Sequence, residues 1–451
     1  MTGTQASFIP PATIGEAREL IEPDPHLGVP LPAYRGRSLG NLAASLARSL
    51  GGPATDPPPL PCLLSELDPL TGGTAEGPVV VLLVDGLGWI ALRSSASHDP
   101  GSTAARWLPR ARPLTSVFPT TTTVALTSLS TGAAPGQHGV VGHRVYLPRF
   151  DSVVEILRMS PLGVSSAETL VGPDWSPSMV SGVPSIFRRG VEAVAVSRDR
   201  YQGSGFTRLL YDGAAFVAYA TASDFALALR DLLDRPDPPT LIFAYWDDLD
   251  VAQHVRGPRP ELVDLELDRI DALMTFVAHH IEPARARQVR WVITSDHGQV
   301  PMAPDRQVVA DQDGELLGHL LRPPSGDRRA TFFAARPGHQ AALREVLQAR
   351  SVSGSRLLDM PEAVERGLFG PEPHHPELTE RLGDYLLLTP SPGGVSYTVP
   401  GGRRPGRPMR GAHGGLEAEE LLVPMISGPL SELVGPPSRL AHLPAGAPEG
   451  V

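Results

Sequence analysis

The chain has 451 residues, with 46 Gly, 49 Pro, 41% apolar and 20% charged residues, a turn-rich globular composition short of a low-complexity one. Its net charge is −10 and all 39 basic residues are Arg. It therefore lacks the clustered positive charge of a general nucleic-acid binder, and the absence of Lys excludes a P-loop NTPase, a protein kinase and lysine Schiff-base chemistry.

The single cysteine, Cys62, excludes an internal disulfide and, by itself, a thiolate zinc or iron–sulfur site. The N-terminal residues lack the basic start and apolar core of a signal peptide. The apolar run Val79–Val84 is far shorter than the roughly 20 residues that cross a bilayer. A cytoplasmic location without a membrane partner is the expectation.

Residues 1–75 read as a lead-in packing on the core. A helix is expected over Ser38–Leu50, from the spacing of Leu39, Leu42, Leu46 and Leu50, followed by a Pro-rich linker over Pro53–Pro61. A catalytic core is expected over 76–301. Three short apolar runs, Val79–Val84, Thr240–Trp246 and Arg290–Ser295, suit strands buried on both faces, as in a parallel sheet. Ala222–Leu233 and Glu261–His280 carry apolar residues at helical spacing. Strand–helix alternation of this kind predicts an α/β fold with a doubly wound, mostly parallel sheet.

From 302 to 405 the pattern changes to that of a small α+β insertion or cap: a strand over Ala330–Ala335, helices over Gln340–Arg350 and Pro361–Gly367, and a strand over Asp384–Thr389. Ser391–Pro408 reads as a loop. Residues 406–451 return to the core through His413 and the apolar segment Leu421–Ser427.

Each of the three runs ends in an aspartate, and ligands bind beyond the carboxyl ends of such strands. Asp85 ends the first. Asp250 follows the second, with His254 four residues on and so on the same helical face. Asp296-His297 follows the third, and His413 lies in Gly-Ala-His-Gly-Gly. Carboxylates and imidazoles without thiolates suit Zn²⁺, Mn²⁺ or Fe, and six such ligands suffice for two ions. Phe118–Gly132 contributes four successive threonines, Thr120 to Thr123, ahead of a segment that becomes helical by Val124. They read either as a helix cap or as a hydroxyl nucleophile at the positive end of a helix.

Other motifs are set aside. Asp248-x-Asp250 lacks the downstream lysine of a haloacid-dehalogenase site, and Gly86-Leu-Gly88 lacks the third glycine of a dinucleotide fingerprint. Cys62 lacks the context of a sulfatase nucleophile.

Together these blocks resemble the alkaline phosphatase superfamily, and within it the type I phosphodiesterase/nucleotide pyrophosphatase branch. The resemblance rests on VVLLVDG (residues 80–86 and their neighbour Val79), FPTTTTVALTSLSTGAAPGQHGVVGH (118–143), YWDDLDVAQHVRGP (245–258), ITSDHG (293–298) and GAHG (411–414). It implies an alkaline-phosphatase-like core and a two-metal phosphoester hydrolase, zinc or manganese being the metals. Carried over by position, Thr122 resembles the nucleophile, with Thr120, Thr121 and Thr123 as competitors should the register differ. Asp85, Asp296, His297 and Thr122 itself would hold one metal, and Asp250, His254 and His413 the second.

The branch's phosphoryl-contacting Asn is replaced by His143, followed by Arg144. His143, Arg144 and Thr123 are the candidates for gripping the phosphoryl group. Arg144 could grip a doubly charged phosphate, as an Arg does in the monoesterase branch. The implied substrate is a small phosphate ester. A diester or nucleotide pyrophosphate leads, with a phosphomonoester, a phosphonate and a catalytically silent metal-binding module as alternatives.

Overall fold

A computed structural model describes residues 11–49, 58–70, 77–189, 192–402 and 408–435. Most of the Pro53–Pro61 linker, the expected boundary at 75/76 and the start of the last segment at 406 lie outside the described residues.

Two seven-stranded sheets organise the chain. In the first the order is Ala111–Thr115, Leu422–Pro429, Arg290–Thr294, Val79–Val84, Leu241–Trp246, Ala193–Arg198, Ala215–Tyr219. Only Leu422–Pro429 runs antiparallel to its neighbours; the other pairs are parallel. Every residue of Val79–Val84 and of Leu241–Trp246 is buried, which explains their unbroken apolar sequences. Helices cover the faces. Pro260–His280 packs on both Ala222–Leu233 and Trp89–His98, while Leu39–Ser49 packs on Thr122–Thr131. This is the mostly parallel α/β core that the sequence predicts.

Three strands of this sheet are not legible as apolar runs. Ala111–Thr115 contains Pro113 and sits at one edge, where a missing N–H is tolerated. Ala215–Tyr219 is half-exposed at the other edge. Ala193–Arg198 has no apolar residue larger than its two valines.

The second sheet is antiparallel throughout and forms the cap. Its order is Arg356–Asp359, Tyr385–Leu388, Ala330–Phe333, Ser325–Gly326, Arg144–Leu147, Ser152–Glu155, Ser160–Pro161. It is therefore not confined to 302–405, because three of its strands come from residues 144–161, inside the segment assigned to the core. Those strands hold two to four residues each, too few for a period to show which sheet they join. The two halves meet where Gly326 pairs with Arg144.

Candidate active site

Sequence order brings the carboxyl ends of the central strands to one edge, and each delivers its side chain there. Asp85 follows Val79–Val84 directly. Leu241–Trp246 leads into the helix Asp248–Arg256, whose first turns carry Asp250 and His254 on one face. Arg290–Thr294 is followed by Ser295, Asp296 and His297. His413 arrives on the loop after the short strand Gly411–Ala412.

The six side chains gather into two groups. Asp85, Asp296 and His297 offer ligand atoms within 4.8 Å of one another, and so do Asp250, His254 and His413. The groups adjoin: the His297 and His413 rings stack 3.7 Å apart, and the His254 and His413 centroids are 5.1 Å apart.

Each imidazole is oriented through its inner nitrogen. Nδ1 of His254 meets the Gly411 carbonyl at 2.8 Å, Nδ1 of His297 that of Gly298 at 3.1 Å, and Nδ1 of His413 that of Thr120 at 3.0 Å. A carbonyl only accepts, so Nδ1 holds the proton and Nε2 keeps its lone pair for a ligand. The His254 Nε2 faces Asp250 Oδ1 at 3.3 Å, and the His297 Nε2 faces Asp296 Oδ2 at 3.3 Å.

The carboxylates are oriented too. Asp296 Oδ1 accepts from the N–H groups of Gly86 and His297. Asp85 accepts from the Tyr245 hydroxyl, and Asp250 from Gln299 Nε2. That leaves Asp85 Oδ1 and Asp296 Oδ2 buried without a hydrogen-bond partner, an arrangement that is costly unless something cationic completes it. Burial, and next the negative charges of Asp296 and Asp250, push the Asp85 carboxyl well above the usual range. Burial pushes the His297 imidazole down to about 4 and, with His297 and His254 beside it, that of His413 down to about 3. Orphaned carboxylate oxygens and imidazoles whose Nε2 atoms turn toward the clusters form a donor set that fits divalent cations.

The four threonines separate cleanly. Thr120 Oγ1 donates to the Gly415 carbonyl at 2.8 Å. The Thr121 hydroxyl faces the Asp327 carboxylate. Thr123 Oγ1 donates to the Gly142 carbonyl at 2.9 Å. Only Thr122, first residue of the helix Thr122–Thr131, aims its hydroxyl at the clusters, with Oγ1 3.1 Å from His297 Nε2. With its hydroxyl taken by the backbone, Thr123 has its N–H at the helix start to offer a phosphoryl oxygen.

Above Thr122 a cavity opens between core and cap. His143, Arg144, Asp250, His254 and His413 line it, together with Glu155, Asp327, Arg328 and Tyr397. Arg144 donates through Nη1 to the Tyr397 carbonyl at 3.1 Å and lies opposite Glu155 across the antiparallel pair. Burial lowers the His143 imidazole below its usual value, against the opposing charge of Asp327.

Sequence reasoning missed Tyr245, Gln299, Asp327 and Arg328. Tyr245 and Gln299 flank the aspartate motifs and were within reach of it. Asp327 and Arg328 lie in a Ser-Gly-Asp-Arg turn of the cap, and no local signal ties that turn to the clusters.

A parallel α/β core carrying paired aspartate–histidine clusters around a threonine defines a phosphoester hydrolase of the alkaline phosphatase superfamily. The chain belongs to the type I phosphodiesterase/nucleotide pyrophosphatase family, which it matches over residues 79–414. No curated protein matches it by sequence.

Among solved structures, it is similar to murine ectonucleotide pyrophosphatase/phosphodiesterase 5, with TM-score 0.59, 16% identity, and 78% of this chain and 88% of that one covered. An inactive threonine-to-alanine variant of that protein in complex with AMP gives TM-score 0.60 at 17% identity, over 78% and 88% of the two chains. Phosphonoacetate hydrolase from Sinorhizobium meliloti 1021 in complex with phosphonoformate gives TM-score 0.55 at 20% identity, over 83% and 92%. At these identities the likeness shows a shared fold. The family is metal-dependent and hydrolyses small phosphoester substrates. Among the described residues, no helix is long and apolar enough to cross a membrane.

Proposed function

We propose that the protein is a two-metal phosphodiesterase or nucleotide pyrophosphatase with Thr122 as its nucleophile, acting in the cytoplasm. The supporting observation is the position of Thr122 Oγ1. Alone among the four threonines it points at the clusters, 3.1 Å from His297 Nε2. Asp85, Asp296, His297 and Thr122 would hold one ion, and Asp250, His254 and His413 the other; zinc suits these donors best, and manganese second.

When bound, two divalent cations supply an acidified hydroxyl, an activated water and charge neutralisation at phosphorus. The residues do the rest. Thr122 Oγ1 attacks phosphorus in line with the leaving alcohol, giving a phosphothreonine that water then cleaves. The helix start at Thr122–Thr123 offers N–H groups to the phosphoryl oxygens. His143 stands in the cavity where a ring N–H could donate to the same group.

A diester is favoured over a monoester by the state of Arg144. Its Nη1 is committed to the Tyr397 carbonyl, and the residue lies opposite Glu155 in the antiparallel pair, so it is poorly placed to grip a dianion bidentately.

The test is a paired assay of the metal-loaded protein on bis-p-nitrophenyl phosphate, p-nitrophenyl phosphate and a nucleoside-monophosphate p-nitrophenyl ester. Thr122→Ala serves as the blank. The reading expects faster diester turnover, lost in Thr122→Ala while bound metal is retained. Faster monoester turnover, or unchanged rates in Thr122→Ala, overturns it.

A further inference from the structure

One wall of the cavity over Thr122 comes from the cap. It is the turn joining Ser325–Gly326 to Ala330–Phe333, and it is pressed onto the core at three places. At the first, Gly142 meets Gly326 so closely that a Cβ on Gly142 would lie 2.6 Å from the Gly326 Cα. At the second, Gly414, the neighbour of His413, abuts Asp327; a Cβ there would lie 2.9 Å from both Cβ and Cγ of that aspartate. At the third, Arg329 is only 1% exposed and donates to Glu420 and Glu417 of the core, at 2.6 and 2.9 Å.

The turn also closes on itself. Asp327 N–H donates to the Ala330 carbonyl at 2.8 Å, and the Arg328 N–H to Asp327 Oδ1 at 2.6 Å. The Asp327 carboxylate is thus fixed. It faces the hydroxyl of Thr121, which caps the helix that Thr122 begins.

The charges around this point are simple to count. The two clusters contain three carboxylates, Asp85, Asp250 and Asp296. Two divalent cations and a Thr122 alkoxide would bring their sum to zero, so the next charges outward decide how much negative charge the site accepts. On the cavity wall these are Arg144 and Arg328 against Glu155 and Asp327. They balance as a set but not in position, because Asp327 is the one packed beside His413 and Thr121, at the nucleophile end.

We propose that Asp327 is the specificity-determining residue of this site. Its carboxylate selects a singly charged phosphodiester over a doubly charged phosphomonoester. A monoester carries one more negative charge than a diester on the phosphoryl group itself, and a like charge fixed at the cavity wall penalises it selectively. Asp327 stays outside the bond-making chemistry and acts through charge alone. The inference rests on the phosphoesterase reading above and deepens it.

The experiment compares kcat/KM for bis-p-nitrophenyl phosphate and p-nitrophenyl phosphate in the metal-loaded wild type, Asp327→Asn and Asp327→Glu. Asp327→Asn is expected to raise the monoester-to-diester ratio about tenfold, and Asp327→Glu to stay near the wild-type ratio. A merely structural role would lower both activities and leave the ratio alone, which overturns the proposal. Should Asp327→Asn not fold, the wild type decides. Methylphosphonate, at a pH where it is doubly charged, is compared as an inhibitor with its singly charged monomethyl ester. The monoanion is expected to bind at least as tightly, and a dianion bound tenfold more tightly overturns the proposal. If the wild type shows no Thr122-dependent hydrolysis at all, it is the phosphoesterase reading that fails instead.

Discussion

The imidazoles of His297 and His413 lie face to face, 3.7 Å between centroids and 20° from parallel, although each belongs to a different cluster. The two clusters therefore share a wall, and a change in one is felt in the other. His413→Ala is expected to reduce bound metal from two ions per chain to one, and to cut hydrolysis severely while the remaining cluster stays loaded. Elemental analysis of the purified, metal-saturated variant checks this. Two retained ions would remove His413 from the ligand set.

Gln299 is 5% exposed and donates through Nε2 to both the backbone carbonyl and the carboxylate of Asp250. It orients a carboxylate of the second cluster from outside that cluster. Partners of this kind are typically worth about 10- to 100-fold in metal affinity. Gln299→Leu is expected to weaken one of two ions by that factor in a chelator competition. Equal affinities would show that the helix Asp248–Arg256 holds Asp250 unaided.

Arg329 and Glu420 form an ion pair with almost no solvent on either side, at 1% and 0% exposure. Removing one partner strands a buried charge, at about 3–5 kcal/mol. Arg329→Met is thus expected to lower the unfolding free energy by roughly that amount, and to release the cap turn that carries Asp327. The double variant Arg329→Met/Glu420→Leu is expected to regain much of the loss, since a packed apolar pair needs no charge compensation. Denaturant titrations of the three proteins decide. A double variant no better than the single would mean that Glu417 and Glu420 are held by other groups.

His138 is buried, with Nδ1 accepting from the Val140 N–H at 3.1 Å and Nε2 2.9 Å from Ser128 Oγ. Burial, with His375 and the Arg381 guanidinium beside it, pushes its imidazole down to about 3. An unfolded histidine takes its proton near 6.5. The stability contributed by keeping His138 neutral is complete above that pH and is lost as pH falls from 6.5 toward 3, at up to about 1.4 kcal/mol per pH unit. His375, pushed down to about 4 chiefly by burial, acts in the same direction. In His138→Gln the drop in melting temperature between pH 7 and pH 5 should shrink. Parallel curves for the two proteins would place the acid sensitivity elsewhere.

What the sequence made legible follows from how local each signal is. Val79–Val84 is buried on both faces, so its composition alone marks it as a strand. Asp250 and His254 needed only a helical turn to meet. The choice among Thr120 to Thr123 needed more, because it depends on which carbonyls lie opposite, those of Gly415 and Gly142 among them. Asp327 was out of reach altogether. It joins the site through contacts with Gly414 and Thr121, far away in the chain, and no pattern around residue 327 encodes them. Edge strands such as Ala111–Thr115 escaped for the opposite reason: their sequence is free to look irregular where one side needs no partner.

The strand Leu422–Pro429 enters the central sheet last in sequence but not at its margin, since it lies between Ala111–Thr115 and Arg290–Thr294. The loop just before it carries His413. Ala111–Thr115 therefore has no partner in this sheet but Leu422–Pro429, and the segment that supplies that partner also brings the last of the six clustered side chains. Completion of the sheet and of the second cluster thus depend on the same stretch of chain. A chain cut before residue 413 would lack both His413 of the second cluster and the strand that ties Ala111–Thr115 to the sheet.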